Sequence, residues 1–167
     1  MITVLRLGHR QKRDERISTH CGLVARALGA DNIVYSGEVD GSLLASIKSV
    51  SDRWGSGFRA SYEANWRKFI SSFDGTKVHL TMYGKPYKSR MSKIRNEKNI
   101  LVIIGGEKVP GELYQLADYN VAVTNQPHSE VAALALFLEK FKLKPNADKP
   151  QVRIIPQEKG KKVVENE

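Results

Sequence analysis

The segment NILVIIGGEKVPGELYQLADYNVAVTNQPHSEVAALALFLEKF, residues 99–141, decides the fold of this chain. Residues 100–104 form a short, continuous apolar run that is rich in β-branched side chains and is closed by Gly105 and Gly106. A run of this kind predicts a strand that is buried on both faces of a parallel sheet.

The second half of the same segment predicts another strand and the helix that follows it. Residues 119–123 are mostly apolar, and a polar turn follows at 125–128. Ser129 is a suitable N-cap for an Ala/Leu-rich helix that begins at Glu130. Two strand ends, each followed by a turn and a helix, form the crevice in which open α/β sheets bind ligands, so we expect the active site here.

Strands and helices alternate along the rest of the chain. Strand patterns occupy residues 1–7, 32–35, 57–62 and 77–82, and helix patterns occupy 16–28, 43–54 and 66–70. This alternation predicts an α/β fold with a mainly parallel sheet and helices on both faces. The pattern fades after Pro145, so we expect one domain over 1–144 and a basic tail over 145–167 that is either mobile or docked on the domain.

The composition is that of an ordinary globular protein. The chain has 167 residues, of which 41% are apolar and 27% charged, enough for one core and a single domain. It lacks an apolar run of about 18 residues and a signal-peptide pattern, so we expect a cytoplasmic protein. The single cysteine, Cys21, excludes an internal disulfide and is expected to be a buried thiol.

The charge favours a polyanionic partner. The net charge is +9 and the sequence pI is about 9.7. Residues 1–30 have six basic and two acidic side chains, a net of +4, and residues 85–98 have six and one, a net of +5. Clusters of this kind indicate nucleic-acid binding, with a solvated surface as the alternative.

Several common motifs are missing from the sequence. It contains neither the phosphate-binding pattern G-x-x-x-x-G-K-[ST] nor the dinucleotide pattern G-x-G-x-x-G. The four histidines are far apart and lack the spacing of metal ligands, so we expect no metal site. The turns at strand ends remain as candidates. Gly105 and Gly106 allow a close backbone approach to a ligand, Glu107 could accept hydrogen bonds, and the alternative is a simple turn.

The sequence resembles a known family at several long motifs in the same order. These are LRLGHR at 5–10, RDERISTH at 13–20, LTMYG at 80–84, GGEKVP at 105–110, ADYNVAV at 117–123 and NQPHSEVAALA at 125–135. They are similar to the archaeal tRNA cytidine-56 2′-O-ribose methyltransferases of the SPOUT superfamily. The resemblance covers about residues 1–141.

The resemblance implies a fold, a reaction and a cofactor site. The fold would contain a C-terminal deep trefoil knot, and the protein would be a homodimer. It would methylate the ribose 2′-OH of cytidine 56 in the T-loop of tRNA, with S-adenosylmethionine (SAM) as cofactor. The implied cofactor-binding residues are Leu80, Gly105, Gly106, Glu107, Lys108, Val109, Val123, Thr124, Asn125, Gln126, Pro127, His128, Ser129 and Glu130.

The resemblance also implies catalytic residues. The first motif of 2′-O-methylating relatives has an Asn followed six residues later by an Arg; here these positions are His20 and Arg26. Arg26 would stabilise the alkoxide, and His20 could accept the proton of the 2′-OH. The residues expected to bind RNA phosphates are Arg10, Arg13, Arg16, Arg90 and Lys93. Two alternatives stay open, namely methylation of another tRNA or rRNA nucleotide and a non-catalytic RNA-binding module.

Overall fold

Strand β5 (Ile100–Gly105) lies at the centre of the sheet. A computed structural model describes residues 1–55, 57–106, 108–145 and 148–166. In it, β5 pairs in parallel with β1 (Ile2–His9) on one side and with β4 (Thr76–Pro86) on the other. Its first five residues are buried, because helices cover both faces of the sheet. The prediction of a buried parallel strand at 100–104 is confirmed.

The sheet has six strands, and every neighbouring pair is parallel. Strands β2 (Asn32–Gly37) and β3 (Arg59–Tyr62) lie beyond β1, and β6 (Tyr119–Ala122) lies beyond β4. The order is therefore β3-β2-β1-β5-β4-β6. The chain builds outward from β1 to β3 and then crosses to the other half of the sheet. Because all strands are parallel, their carboxyl ends meet at one edge.

Helices cover both faces of this sheet, as predicted. Helices α1 (Gln11–Ala27), α2 (Gly41–Trp54), α4 (Met91–Ile94) and α6 (Glu130–Glu139) pack against one face. On the opposite face, α3 (Trp66–Ser72) and α5 (Leu113–Leu116) cover Leu5, Leu7, Leu101 and Ile103. Among these helices and those of the other described residues, none is both long and apolar enough to cross a membrane.

Helix α1 begins five residues earlier than the sequence pattern predicts. The pattern starts at Arg16, whereas the helix starts at Gln11. Residues 11–15 are polar and largely exposed, so they have no apolar periodicity by which the first turn could be recognised. The other end was predicted correctly: Gly29 follows the helix with φ of 83°, a conformation that favours glycine.

Strand β4 leaves the sheet and then returns to it. Leu80 and Lys85 both align with Val121 of β6, so residues 81–84 project out of the ladder. A Cβ on Gly84 would lie 2.5 Å from the backbone nitrogen of Val121, so this return requires glycine. We call residues 81–84 the β4 loop.

The described part of the tail forms a docked hairpin. Strands β7 (Val152–Ile155) and β8 (Lys162–Glu165) pair antiparallel. Val152 is buried, and the Gln151 amide donates to the Arg53 carbonyl at 3.1 Å. The start of β7 thus contacts the end of α2, and the division into a domain at 1–144 and a tail at 145–167 stays a prediction.

Candidate active site

Three cavities open at the carboxyl edge of the sheet, and Gly106 lines all of them. The first, which we call the β4–β6 cavity, measures about 500 Å³ and lies among the ends of β4 and β5 and the start of α6. The second, the arginine cavity, measures about 630 Å³ and lies against α1. The third, the tryptophan cavity, measures about 690 Å³ and is lined by Trp66 and the ends of β1 and β2.

The β4–β6 cavity collects most of the residues expected to bind a cofactor. Those that line it are Leu80, Gly105, Gly106, Val109, Pro127, His128, Ser129 and Glu130. Lys108 lines the tryptophan cavity instead. Glu107 lies outside the described residues. The crevice predicted at the ends of two strands is therefore present in the structure.

Four other expected cofactor residues, Val123 through Gln126, do not line the cavities that the described residues form here. Val123 packs against the hydrophobic core. The Asn125 side-chain nitrogen donates to the carbonyl oxygens of Met82 and Gly84, at 2.6 and 3.0 Å. The side-chain nitrogen of Asn125 therefore ties the turn after β6 to the β4 loop. The sequence could not show this, because the partners are 41 and 43 residues away.

The two glycines after β5 differ in their surroundings. A Cβ on Gly105 would meet the Val109 side chain at 2.4 Å, so this glycine allows the turn to pack. A Cβ on Gly106 would have no atom within 4 Å. Gly106 thus borders open space, where its bare backbone can approach a ligand closely.

The arginine cavity brings together residues predicted for RNA binding and for catalysis. Arg10, Arg13, Arg16 and His20 line it, beside Ser129 and Glu130 at the start of α6. Positions 13, 16 and 20 are three and four residues apart, which places them on one face of α1. Their common surface was not evident from the sequence alone, because the helix pattern began only at Arg16.

Within one chain, Arg26 lies away from the three cavities at the carboxyl edge of the sheet. It lines a separate cavity of about 360 Å³ with Met1, Ile2 and Asp31, at the amino edge of the sheet. Arg26 is ten residues beyond Arg16 on α1, about 15 Å along the helix axis. Burial lowers the pKa of Arg26 below its ordinary value, and its Nε has no partner among the described residues. A catalytic role for Arg26 therefore requires a second subunit and stays a prediction.

Arg6 is a site residue that sequence reasoning missed. Its side chain is 1% exposed, and its Nη2 lies 2.7 Å from Oε1 of Glu130. Its Nε donates to the same oxygen at 3.0 Å, while Nη1 has no partner among the described residues. The sequence does indicate it, because Arg6 lies between Leu5 and Leu7 in a mostly apolar strand. A buried charge requires a paired partner, and here the ion pair ties β1 to the first turn of α6.

His79 is a second residue that was missed. It lines the β4–β6 cavity but is only 1% exposed. Its Nδ1 lies 2.9 Å from Oδ1 of Asn120, and the Asn120 amide donates to the Tyr114 carbonyl at 2.8 Å. Burial lowers the pKa of His79, against an opposing effect of the Asn120 hydrogen bond. The imidazole is therefore kept neutral at the cavity wall.

A chain of Ser18, His9 and Asp40 has the residue types of a hydrolytic triad. Ser18 Oγ lies 2.7 Å from His9 Nδ1, and His9 Nε2 lies 3.2 Å from Asp40 Oδ2. All three residues are buried, so the hydroxyl cannot reach a substrate. Asp40 also caps α2 through Ser42 and Leu43, and these hydrogen bonds lower its pKa. The chain is a structural network that joins β1, α1 and α2.

Among the described residues, Cys21 is the remaining candidate for a nucleophile. Cys21 is fully buried, as expected, and burial, followed by the charge of Glu130, raises the pKa of its thiol to about 12. A protonated, buried thiol is a poor nucleophile. The described residues contain no group of three or more His, Cys, Asp or Glu side chains that could hold a metal ion.

The second basic cluster follows β4. Lys93 is exposed on α4, and Arg90 is half-buried at its start. Both residues follow the β4 loop, which lines the β4–β6 cavity. The buried side of this segment is formed by Tyr87, Met91 and Ile94, so the basic side chains are on its outer side.

The fold is that of RNA methyltransferases of the SpoU and TrmH type. The chain superposes on an RNA 2′-O ribose methyltransferase with a TM-score of 0.62, at 15% identity, over 84% of this chain and 55% of that one. It superposes on a TrmH/SpoU tRNA-modifying enzyme from A. aeolicus with a TM-score of 0.60, at 14% identity, over 84% and 73%. The SpoU methyltransferase AviRb from Streptomyces viridochromogenes, solved in complex with AdoMet, gives 0.58 at 16% identity, over 84% and 56%. The chain thus spans little more than half the length of two of these three chains.

Sequence comparison defines the family. The sequence model of the family described as "tRNA ribose 2′-O-methyltransferase, aTrm56" matches residues 54–164. A tRNA (cytidine(56)-2′-O)-methyltransferase of Pyrococcus abyssi is 51% identical, over 99% of this chain and 88% of the relative. The enzyme of the same name from Methanocaldococcus jannaschii is 50% identical, over 98% and 96%. The chain belongs to the aTrm56 family of tRNA ribose 2′-O-methyltransferases.

Proposed function

We propose that this protein transfers a methyl group from SAM to the ribose 2′-OH of cytidine 56 in the T-loop of tRNA. The observation that carries this proposal is the meeting of two cavities at Gly106, one suited to a small cofactor and one lined by arginines. A methyl donor and an RNA chain must meet at such a junction. The nucleotide is taken from the curated relatives, which are named for cytidine 56.

The residues of the β4–β6 cavity fit SAM. A volume of about 500 Å³ is within the usual range for ligands of this size. Leu80, Ile104 and Ala133 offer an apolar surface for an adenine ring, and Ser129 and Glu130 offer polar groups. The open space at Gly106 permits backbone contact. When bound there, SAM would supply an electrophilic methyl group.

The arginine cavity would hold the RNA strand. Arg13 is 57% and Arg10 50% exposed at their side chains, so both can reach a phosphate outside the cavity. Guanidinium groups bind phosphate oxygens through two parallel hydrogen bonds. Such contacts orient the ribose without reading the base.

Activation of the 2′-OH would fall to residues at the junction. A ribose hydroxyl must lose its proton as its new bond forms, so a nearby acceptor or cation is needed. His20 and Arg16 both line the arginine cavity, and an imidazole can accept a proton near neutral pH. Within one chain they are therefore the nearer candidates, and Arg26 would act only from a partner subunit.

The knot and the homodimer belong to the same proposal. Support for the knot comes from the strand order, in which the chain passes from β5 over β4 to β6, and from Asn125, which fixes the returning chain against the β4 loop. Pulling single molecules by both termini tests the knot, since a knotted chain extends to a shorter final length. Support for the dimer comes from Leu136, which is 51% exposed on α6, whereas Leu134 and Leu138 of the same helix are buried. We place the protein with its tRNA substrate in the cytoplasm.

The test of this function is a transfer reaction with purified protein, labelled SAM and tRNA transcripts, followed by mapping of the modified nucleotide. We expect label only on the ribose of cytidine 56. A transcript with a 2′-deoxy ribose at that position is the matched control and should accept no label. Label at another nucleotide would assign a different substrate, and RNA binding without transfer would make the protein a binding module.

A further inference from the structure

Tyr83 is an aromatic residue with an unusual degree of exposure. Its side chain is 74% exposed, whereas Tyr35 and Tyr87 are 1% and 6% exposed. It lies in the β4 loop and lines the β4–β6 cavity. Its hydroxyl makes no hydrogen bond to the described residues. A large ring in this position does not stabilise the folded chain.

Hydrogen bonds brace the backbone of the β4 loop on both sides of Tyr83. Asn125 donates hydrogen bonds to the carbonyls on both sides of Tyr83, those of Met82 and Gly84. Gly84 lies directly against the β6 backbone, and the Tyr83 amide donates to Thr81 Oγ1 at 3.4 Å. An exposed ring on a braced loop is presented at little cost in conformational entropy on binding.

Exposed lysines follow the ring closely in the sequence. Lys85 follows two residues later, and Lys88 and Lys93 lie on the segment after it; all three are exposed. An aromatic face beside a basic surface is the arrangement by which proteins bind single-stranded nucleic acid, with bases stacked on rings and phosphates bound to cations.

We infer that Tyr83 is a stacking platform for an unpaired nucleobase of the RNA substrate. The inference rests on the proposed function insofar as RNA is the ligand, and it adds a subsite which that function does not assign. Proteins that bind RNA loops stack unpaired bases on aromatic side chains. Tyr83 at the rim of the cavity would receive one such base.

The test uses the full-length protein with tRNA in which 2-aminopurine replaces single unpaired bases in turn. Stacking on Tyr83 should quench the fluorescence of one probe in the wild type and in Tyr83→Phe, but not in Tyr83→Ala. The Ala variant should also bind tRNA about 5- to 150-fold more weakly, since one stacked base contributes about 1–3 kcal/mol.

Three controls separate the explanations. Thermal melting shows whether Tyr83→Ala is folded. Because Tyr83 lines the β4–β6 cavity, calorimetry measures the SAM affinity of the variant separately from its tRNA affinity. Lys85→Ala serves as the matched neighbour: it should reduce the salt dependence of tRNA binding, whereas Tyr83→Ala should weaken binding equally at all salt concentrations.

Each contrary result overturns the inference. A loss of SAM affinity in Tyr83→Ala would mean that the ring covers the cofactor, and a loss of dimers would mean that it contacts a second copy. Unchanged tRNA affinity in Tyr83→Ala would show that the ring does not contribute to RNA binding. Stacking by a wild-type protein that transfers no methyl group would instead leave this inference intact and overturn the proposed function.

Discussion

The guanidinium of Arg6 is buried, so its removal from water costs free energy that a charge partner must offset. Arg6 is 1% exposed and depends on Glu130, whose side chain is 13% exposed, for its charge partner. Breaking a buried pair by removing one member leaves the other charge uncompensated, which is strongly destabilising. The Arg6–Glu130 pair therefore stabilises the fold and also holds the first turn of α6 in place at the β4–β6 cavity.

Replacing Arg6 with methionine should destabilise the protein by about 3–5 kcal/mol, because Glu130 is left unpaired in a partly buried place. The double variant Arg6→Met, Glu130→Met should recover part of that loss. Urea unfolding of the wild type, both single variants and the double variant measures the coupling. If the two single losses simply added, the ion pair would have no energetic coupling.

Gly106→Val should abolish most SAM binding and leave the fold intact. The new side chain would enter the space shared by all three cavities, where a Cβ meets no atom within 4 Å. We expect the dissociation constant, measured by calorimetry, to rise more than tenfold, or about 1.4 kcal/mol. Gly111→Val is the matched control, since a Cβ there also meets nothing within 4 Å. Equal affinities in both variants would remove Gly106 from the cofactor site.

His79 should make the protein less stable in mild acid. Its pKa is lower in the folded protein than its ordinary value of 6.5, so the unfolded chain binds the proton more readily. The stability that depends on neutral His79 is present above about pH 6.5 and is lost as the pH falls towards the folded-state pKa. Unfolding free energies between about pH 7.5 and pH 5 should fall less steeply in His79→Gln. The same substitution at exposed His128 is the control, and equal slopes in the two variants would contradict the assignment.

At the scale of elements, α1 and the segment after β4 carry the basic charge. On α1, Arg13 and Arg16 line the arginine cavity at the carboxyl edge of the sheet. On the 3-10 turn at Tyr87–Ser89 and on α4, apolar residues form the inner side, and the basic side chains lie on the outer side. Each element thus has one face that packs and one face available to phosphate.

Neutralising the segment after β4 should reduce the salt dependence of tRNA binding. With Arg90→Gln and Lys93→Gln, fewer counterions would be released, and the slope of log affinity against log salt should fall by about 1–2. Titrations between about 50 and 200 mM salt measure it. Lys48→Gln with Lys68→Gln removes the same charge from α2 and α3 and is the control. An unchanged slope would mean that α4 does not contact RNA.

At the scale of the whole molecule, the parallel sheet gathers the site at one edge. Arg26 lies at the opposite edge, beside Met1 and Ile2. If it takes part in catalysis, the active site must be shared between two subunits. A test of Arg26 therefore has to combine two different subunits.

Mixing Arg26→Ala subunits with Gly106→Val subunits tests a shared site. If Arg26 acts across the interface, each heterodimer contains one intact site and transfer should be partly restored, although each variant alone is nearly inactive. Arg26→Ala alone should still bind SAM and dimerise. Subunit exchange is followed by fluorescence energy transfer. No rescue despite exchange would contradict the shared site, and wild-type turnover by Arg26→Ala would move the role to His20 or Arg16.

The sequence by itself determined the main local elements and the place of a crevice at the ends of two strands. The apolar run at 100–104, the glycines that follow it and the Ser129 cap are signals between near neighbours, and the structure has a strand, a cavity wall and a helix start there. Hydrophobic periodicity and capping are local effects, so they can be recognised without knowing the fold.

Only the tertiary structure decided which distant side chains meet. The Arg6–Glu130 pair joins residues 124 apart, and the bonds of Asn125 to the β4 loop span 41 and 43 residues. The return of β4 at Gly84 depends on contact with a strand formed much later in the chain. Which edge of the sheet Arg26 reaches depends on how α1 packs against the sheet. Contacts of this range follow from strand order and packing, which no local pattern of residues specifies.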